Sequence, residues 1–454
     1  MITKASNPNF VATRNACKMC TPLGACLAFA GIEKCLPFLH GSQGCSTYIR
    51  RYLISHFREP MDIASSNFGE QAAIFGGQAN LSQGLSNVIQ GYNPKVIGLA
   101  TTCLSETIGD DVPMFLHEFA AEHPGEALPV MIHASTPSYT GSHADGYVEA
   151  IRATVATIAE GGERDVKLVD VLPGIVSPAD LRHLREIVKA FGLEPIVLPD
   201  YSDRLDGPSW AEYRRIPEGG TPLEDIRRMG TAAAALDLGT AAKDNATAGA
   251  VLAKKFGVTR HRIGLPIGVR ASDALFEALE SISGQPTPEA FVAERGRLVD
   301  SYVDAHKYVF GKRAIVYGDE DMVAAMSGFL AEIGVMPVLC ASGGKSGTLA
   351  DAIASAAPGL AEMPEVIEGV DFEDLTEAAE SVSADLIVGH SKGYKLAREL
   401  DLPLVRVGLP IHDRFGAARM LHVGYEGTQQ LFDRIVNTLL ESKQDLSEMG
   451  YTYL

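Results

Sequence analysis

A chain of 454 residues, 46% hydrophobic, with 39 basic against 57 acidic side chains and a net charge of −18, has room for about three cored domains, and its acidity argues against nucleic acid as a partner. No apolar run approaches the roughly 20 residues of a membrane span. MITKASNPNF lacks the apolar core of a secretion signal, so the expected compartment is the cytoplasm, where thiols stay reduced and metal ligation outranks disulfides.

Residues 1–165 read as a first unit. A loop-rich cysteine segment leads into the helix-like STYIRRYLISHF; VIGLATT (96–102) and LPVMIHAS (128–135) read as parallel strands with PMFLHEFAAEHP as the crossover helix between them. Residues 166–300 read as a second unit. It opens on strand VKLVDVLPG, capped helix SPADLRHLREIVKAFG closed by Gly192, and strand EPIVLPD, an order that implies a right-handed parallel crossover. Helix DNATAGAVLAKKFG, strand HRIGLPIGV and helix SDALFEALESIS follow. Residues 301–454 read as a third unit, after the long helix PEAFVAERGRLVDSYVDAHKYVFG. Here strand RAIVYGD, helix DMVAAMSGFLAEIG and strand MPVLCAS restart the alternation, and ADLIVGHSKGYKLARELDLPLVRVG adds strand, loop, helix and strand. The closing GYEGTQQLFDRIVNTLLESKQ reads as an amphipathic helix expected to return to the first unit. The fold class is α/β, with three doubly wound, Rossmann-like parallel-sheet domains.

Five of the seven cysteines fall between residues 17 and 45 and a sixth opens CLSETIGDD, a density that core packing does not require. Cys26 and Cys35 lie among Ala, Leu and Phe, and Cys340 closes the apolar run VMPVLC, so these three read as core. Cys20, Cys45 and Cys103 instead stand at element ends beside Thr-Pro-Leu-Gly, His-Gly-Ser-Gln-Gly and Thr-Thr. Iron-binding thiolates need close backbone approach, small neighbours and N–H groups aimed at sulfur, which such turns supply. The spacings, 25 residues from 20 to 45 and 58 from 45 to 103, exclude a local CxxC motif, and three thiolates leave a four-iron cluster one ligand short, so further ligands are expected from elsewhere, another chain included.

Other stretches carry weaker signals. Arg50, Arg51, His56 and Arg58 read as a charged solvated face. GHSKGYK (389–395) sets glycines after a strand and a lysine at a helix start, as a phosphate cradle does, but lacks the GxxxxGK[ST] spacing; no Walker motif occurs, so any ATP hydrolysis would belong to a partner. His40 reads as a structural histidine, with tuning of a nearby cluster by hydrogen bonding as the alternative. Phe75, an aromatic before two glycines, is badly placed for deep core.

Five segments, in order, resemble one family: HGSQGC (40–45), HFREP (56–60), IFGGQANL (74–81), TTCLSETIGDDV (101–112) and TPSYTGSHADGY (136–147). They are similar to the beta-type subunit of nitrogenase component 1. The resemblance implies an 8Fe-7S P-cluster shared with an alpha-type subunit in an α2β2 heterotetramer, with Cys20, Cys45 and Cys103 as this chain's ligands. It also implies a homodimeric ATP-dependent iron protein as electron donor, docking at Phe75. Ser138 falls on the family's serine that binds the oxidised cluster, though its neighbour here is Tyr139 in place of the family's Phe, and an ordinary loop serine is the alternative.

Within the family three roles are open: a nitrogenase-like reductase, a dinitrogen-reducing beta subunit, and a beta-like scaffold for cofactor assembly. LAFAGIEKCLPFLHGSQGC and FGAARMLHVGYEGT resemble the scaffold, but the scaffold's beta-like chain lacks the full three-cysteine set that is present here. The first cluster cysteine comes at position 20, without the long extension of typical molybdenum-enzyme beta chains, and HGSQGC differs from the HGGQGC of iron-only relatives. This mixture resembles the methylthio-alkane reductases, implying carbon–sulfur cleavage of small methylthio compounds at a cofactor in the partner. A redox-inactive binding protein with core cysteines fails on the ordered motifs.

Overall fold

The computed structural model describes residues 16–447, and the expectation for MITKASNPNF lies outside them. Thirteen strands form three sheets, and every ladder between them is parallel. The first sheet holds β1 (Cys35–His40), β2 (Ala64–Ser65), β3 (Val96–Thr101) and β4 (Val130–Ala134) in the order β2-β1-β3-β4. The second holds β5 (Asp165–Leu172), β6 (Glu194–Val197), β7 (Ala232–Leu238) and β8 (Thr259–Ile263) in the order β6-β5-β7-β8. The third holds β9 (Arg313–Gly318), β10 (Met336–Ser342), β11 (Glu365–Glu368), β12 (Leu386–Gly389) and β13 (Leu404–Arg406) in the order β11-β10-β9-β12-β13. In each sheet the chain winds outward one way from its first strand and then reverses. Loops diverge where it reverses, leaving a crevice at the carboxyl ends of the strands.

The cysteine-rich stretch corrects the expectation of a loop. Thr21–Ala30 is a helix with every residue buried, and Cys35–His40 is an equally buried strand inside the first sheet. The helix has no polar face, so it shows no amphipathic period in the sequence. Pro37 argues against a central strand, but Leu39 takes the Ser66 N–H on the β2 side, so Pro37 faces that side too, beyond the two residues that β2 pairs. No ladder bond is lost.

Three further differences follow from packing. β7, AAAALDL, is a strand built from a helix-favouring composition, with the burial of the second sheet overriding propensity. β8 ends at Ile263, ahead of the GLPIGV expected to belong to it. The closing helix, Gly424–Asp445, packs chiefly on the helices Glu289–Val309 and Val269–Ser283 rather than returning to the first unit. Tyr425 stacks on Phe276 with ring centroids 4.7 Å apart, and Phe432 meets Tyr302 at 4.9 Å. Those aromatic partners stand on Val269–Ser283 and on Glu289–Val309, the helix that joins the second unit to the third, and draw the apolar face of the closing helix there.

A single apolar cluster runs through all three sheets, from Met19 through Val171 to Leu439. Among the described polar groups buried in this interior, one carboxylate stands unpaired. Asp170 on β5 is fully buried and neither carboxylate oxygen has a partner. Burial raises its pKa well above the usual carboxylate range, against a weaker opposing pull from Arg164. An acid raised in this way contributes stability below the ordinary carboxylate pKa and loses it as pH rises through the folded value, at about 1.4 kcal/mol per pH unit. Asp170→Asn, which stays neutral, is therefore expected to raise the unfolding temperature more at pH 8 than at pH 5. Equal shifts at the two pH values would show that Asp170 is not the titrating group.

Candidate functional site

In the first sheet the winding reverses between β1 and β3, whose last residues His40 and Thr101 are register partners. The turn after β1 leads to Cys45 in the first turn of the helix Gln43–Phe57, and the turn after β3 leads to Cys103, the first residue of Cys103–Ile108. The loop after β4 brings Ser138. Cys20 precedes Thr21–Ala30 as its N-cap. That helix packs backbone to backbone on His143–Ile158: a Cβ at Gly24 would overlap the His143 carbonyl, and one at Gly146 the Thr21 carbonyl.

The four groups meet. Ser138 donates its N–H to Cys103 Sγ at 3.3 Å, and its Oγ accepts the Thr21 N–H at 3.1 Å. Ser42 Oγ donates to Cys45 Sγ at 3.7 Å. Burial pushes the Cys20 thiol up, the Ser138 hydrogen bond opposes it, and the nearby Cys103 and Cys45 add to it. All three stand at helix starts. Cys20 and Cys45 are half-buried and Cys103 is exposed, with exposed Tyr48, Leu104 and Tyr139 close by in sequence, the apolar rim of a surface suited to a partner.

Among the described residues no three His, Cys, Asp or Glu side chains are arranged to hold a single metal ion.

The remaining cysteines are buried, as expected for Cys26, Cys35 and Cys340; burial pushes Cys35 and Cys340 up to about 12 and raises Cys26 as well. His56 corrects the expectation of a solvated face, because it is buried and accepts the Ile411 N–H at 2.8 Å, while Arg50, Arg51 and Arg58 remain exposed. GHSKGYK makes no phosphate cradle. Lys392 turns inward and donates to the carbonyls of Ala16 and Lys18, ahead of Cys20. Lys18 in turn donates to the Gly141 carbonyl at 2.8 Å. Neither lysine stood out in the sequence as a neighbour of the cysteines, since that proximity depends on packing between distant segments.

His40 is fully buried, with Nε2 2.9 Å from Asp110 Oδ2 and Nδ1 3.2 Å from Ser66 Oγ, so both ring nitrogens are engaged away from the thiols. Phe75 ends the short helix Glu70–Phe75 and is 85% exposed, beside Ile74 at 73%. The chain leaves it through Gly76 at φ 92°, a conformation that favours glycine.

The family model for nitrogenase component 1 type oxidoreductases matches residues 20–440. The chain belongs to the nitrogenase component 1 family as a beta-type subunit. It is 37% identical over 430 residues to the nitrogenase molybdenum-iron protein beta chain of Clostridium pasteurianum, covering 94% of this chain and 93% of that one. Identity to the same-named chain of Methanothermobacter thermautotrophicus is also 37%, over 93% of both. The nitrogenase vanadium-iron protein beta chain of Trichormus variabilis is 33% identical over 94% of both. A chain of the solved structure titled Nitrogenase Cp1 at pH 6.5 superposes with a TM-score of 0.92 at 35% identity, over 98% of this chain and 97% of that one. This beta-type subunit thus has the nitrogenase component 1 fold, and among its described residues no helix is long and apolar enough to cross a membrane.

Proposed function

We propose that this chain relays electrons, holding with Cys20, Cys45 and Cys103 its share of a P-type 8Fe-7S cluster at the face it presents to an alpha-type subunit, with Ser138 against the same sulfurs. Beta subunits of this family carry such a centre jointly with the alpha subunit, in a heterotetramer served by an iron protein. The observation that carries the assignment is the meeting of three thiols from distant helix starts at the open end of one sheet.

When bound, the cluster stores low-potential electrons and passes them on singly. The chain's own groups hold the thiolates that it needs. The Ser138 N–H points at Cys103 sulfur, and Lys18 and Lys392 place positive charge behind Cys20. Phe75 is assigned to docking of the iron protein, since an exposed aromatic on a short turn offers contact area at low entropic cost.

The reaction assigned to the complex is reductive carbon–sulfur cleavage of small methylthio-alkanes, two electrons and two protons converting R–S–CH3 to R–H and methanethiol at the partner's cofactor. Support comes from the combination of the full thiol set with LAFAGIEKCLPFLHGSQGC, a segment resembling the scaffold rather than a dinitrogen-reducing chain. The names of relatives at 33–37% identity favour a second reading, a dinitrogen-reducing beta subunit. The purified complex, given iron protein, ATP and a reductant, is expected to release hydrocarbon and methanethiol from a methylthio-alkane. Ammonium from dinitrogen as the main product would establish the second reading. Inactivity on both, with a transferable cofactor precursor bound, would make the chain an assembly scaffold.

A further inference from the structure

We propose that Asp110 is a positioning residue that locks the Phe75 turn to the two strand ends leading to Cys45 and Cys103. The proposal rests on the assignment of Phe75 to iron-protein docking. Asp110 lies beyond the helix carrying Cys103, and its side chain is only 5% exposed. Its two carboxylate oxygens accept the Gly77 N–H at 3.2 and 3.1 Å, and Oδ2 also accepts His40 Nε2–H at 2.9 Å. One carboxylate therefore joins a residue two places after Phe75 to the last residue of β1.

From His40 the connection continues to both cysteine turns. The His40 carbonyl accepts the Thr102 hydroxyl at 3.0 Å and the Thr102 N–H at 3.3 Å, and Thr102 is the residue before Cys103. Its ring Nδ1 lies 3.2 Å from Ser66 Oγ, which accepts the Gly41 N–H at 2.9 Å at the start of the turn toward Cys45. The pathway has little slack. The imidazole is held edge-on between Phe68 and Phe115, with centroids at 4.8 and 6.4 Å. A Cβ at Gly77 would overlap the Phe68 ring, and one at Gly41 would overlap the Thr102 side chain. A packed, fully hydrogen-bonded route of this kind moves as a unit, so a push on Phe75 reaches the sulfur-bearing turns. Truncating Asp110 leaves the His40 and Gly77 donors unpaired, and the turn is freed from the strand end.

The test uses the complete heterotetramer with its iron protein and three variants, Phe75→Ala, Asp110→Ala and Asp110→Asn. Asn keeps the volume and an acceptor. Asp110→Ala is expected to raise the half-saturating iron-protein concentration about tenfold, as Phe75→Ala does, with a smaller effect on the maximal rate. It is also expected to speed hydrogen exchange at residues 76–77 and to alter the cluster's electron paramagnetic resonance when iron protein binds, at unchanged iron content. Asp110→Asn should recover most of these changes. Wild-type half-saturation in Asp110→Ala, with Phe75→Ala impaired, overturns the coupling alone. Iron loss and a general fall in melting temperature that Asn does not rescue reduce Asp110 to fold support and overturn it as well. An unimpaired Phe75→Ala removes the docking assignment and the coupling with it.

Discussion

Cys45→Ala is expected to strip iron from the purified complex while the chain stays folded. The residue is half-buried in the first turn of an α-helix, where alanine is well tolerated and the lost side chain leaves only a small gap. What is lost is a sulfur for which the Ser42 hydroxyl cannot substitute, lying three residues earlier in the chain and being a poor iron ligand when neutral. The expected result is a fall in iron per heterotetramer, loss of the cluster's electron paramagnetic resonance and abolished electron transfer, with circular dichroism unchanged. Cys26→Ala is the control. It removes a thiol of the same type from the interior, where it takes no part in the site, and should keep its iron at a modest cost in stability. Full iron content in Cys45→Ala would end the ligand assignment.

Gly24→Val is expected to do the reverse, damaging the fold and the site together. The Thr21–Ala30 helix approaches His143–Ile158 so closely that any Cβ at position 24 meets the His143 carbonyl oxygen, with the Tyr147 backbone nitrogen 2.8 Å from the same point. Backbone cannot move aside as a side-chain tip can, so the helices must separate, at about 3 kcal/mol or more. Cys20 caps the first helix, and Ser138 lies in the loop ahead of the second, so the separation pulls their contact apart. Thermal unfolding of the apo heterotetramer and iron content after reconstitution measure the two effects. A variant that melts normally yet holds iron would show that the close approach is not needed.

The legible parts of the sequence were those with a repeating period or an ordered motif. Pro178–Ala190 carries a Ser177 capping box, an amphipathic face and Gly192 after its end, so its bounds and its neighbours β5 and β6 could be read directly. The three ligand candidates were legible because turn residues beside a thiol are unusual. Missing signals had physical causes. Thr21–Ala30 and β1 are buried on every side, which erases periodicity; β7 is mostly alanine; β11 is only four residues long. Lys392 was misread because its partners lie more than 370 residues earlier in the chain, beyond any local pattern.

The anchoring of the segment before Cys20 has a consequence for biosynthesis. Ala16 pairs with Asp371, Lys392 holds the carbonyls of Ala16 and Lys18, and Gly343 leaves no room for a Cβ beside Lys18. Cys45, Cys103 and Ser138 all belong to the first 140 residues and take their places as soon as one sheet has formed. Cys20 emerges from the ribosome first of all, yet the clamp on the segment before it is synthesised some 370 residues later. Domains fold as they emerge during synthesis, so the segment ahead of Cys20 is expected to stay unanchored until the third unit has been made, while Cys20 itself is held by first-unit contacts.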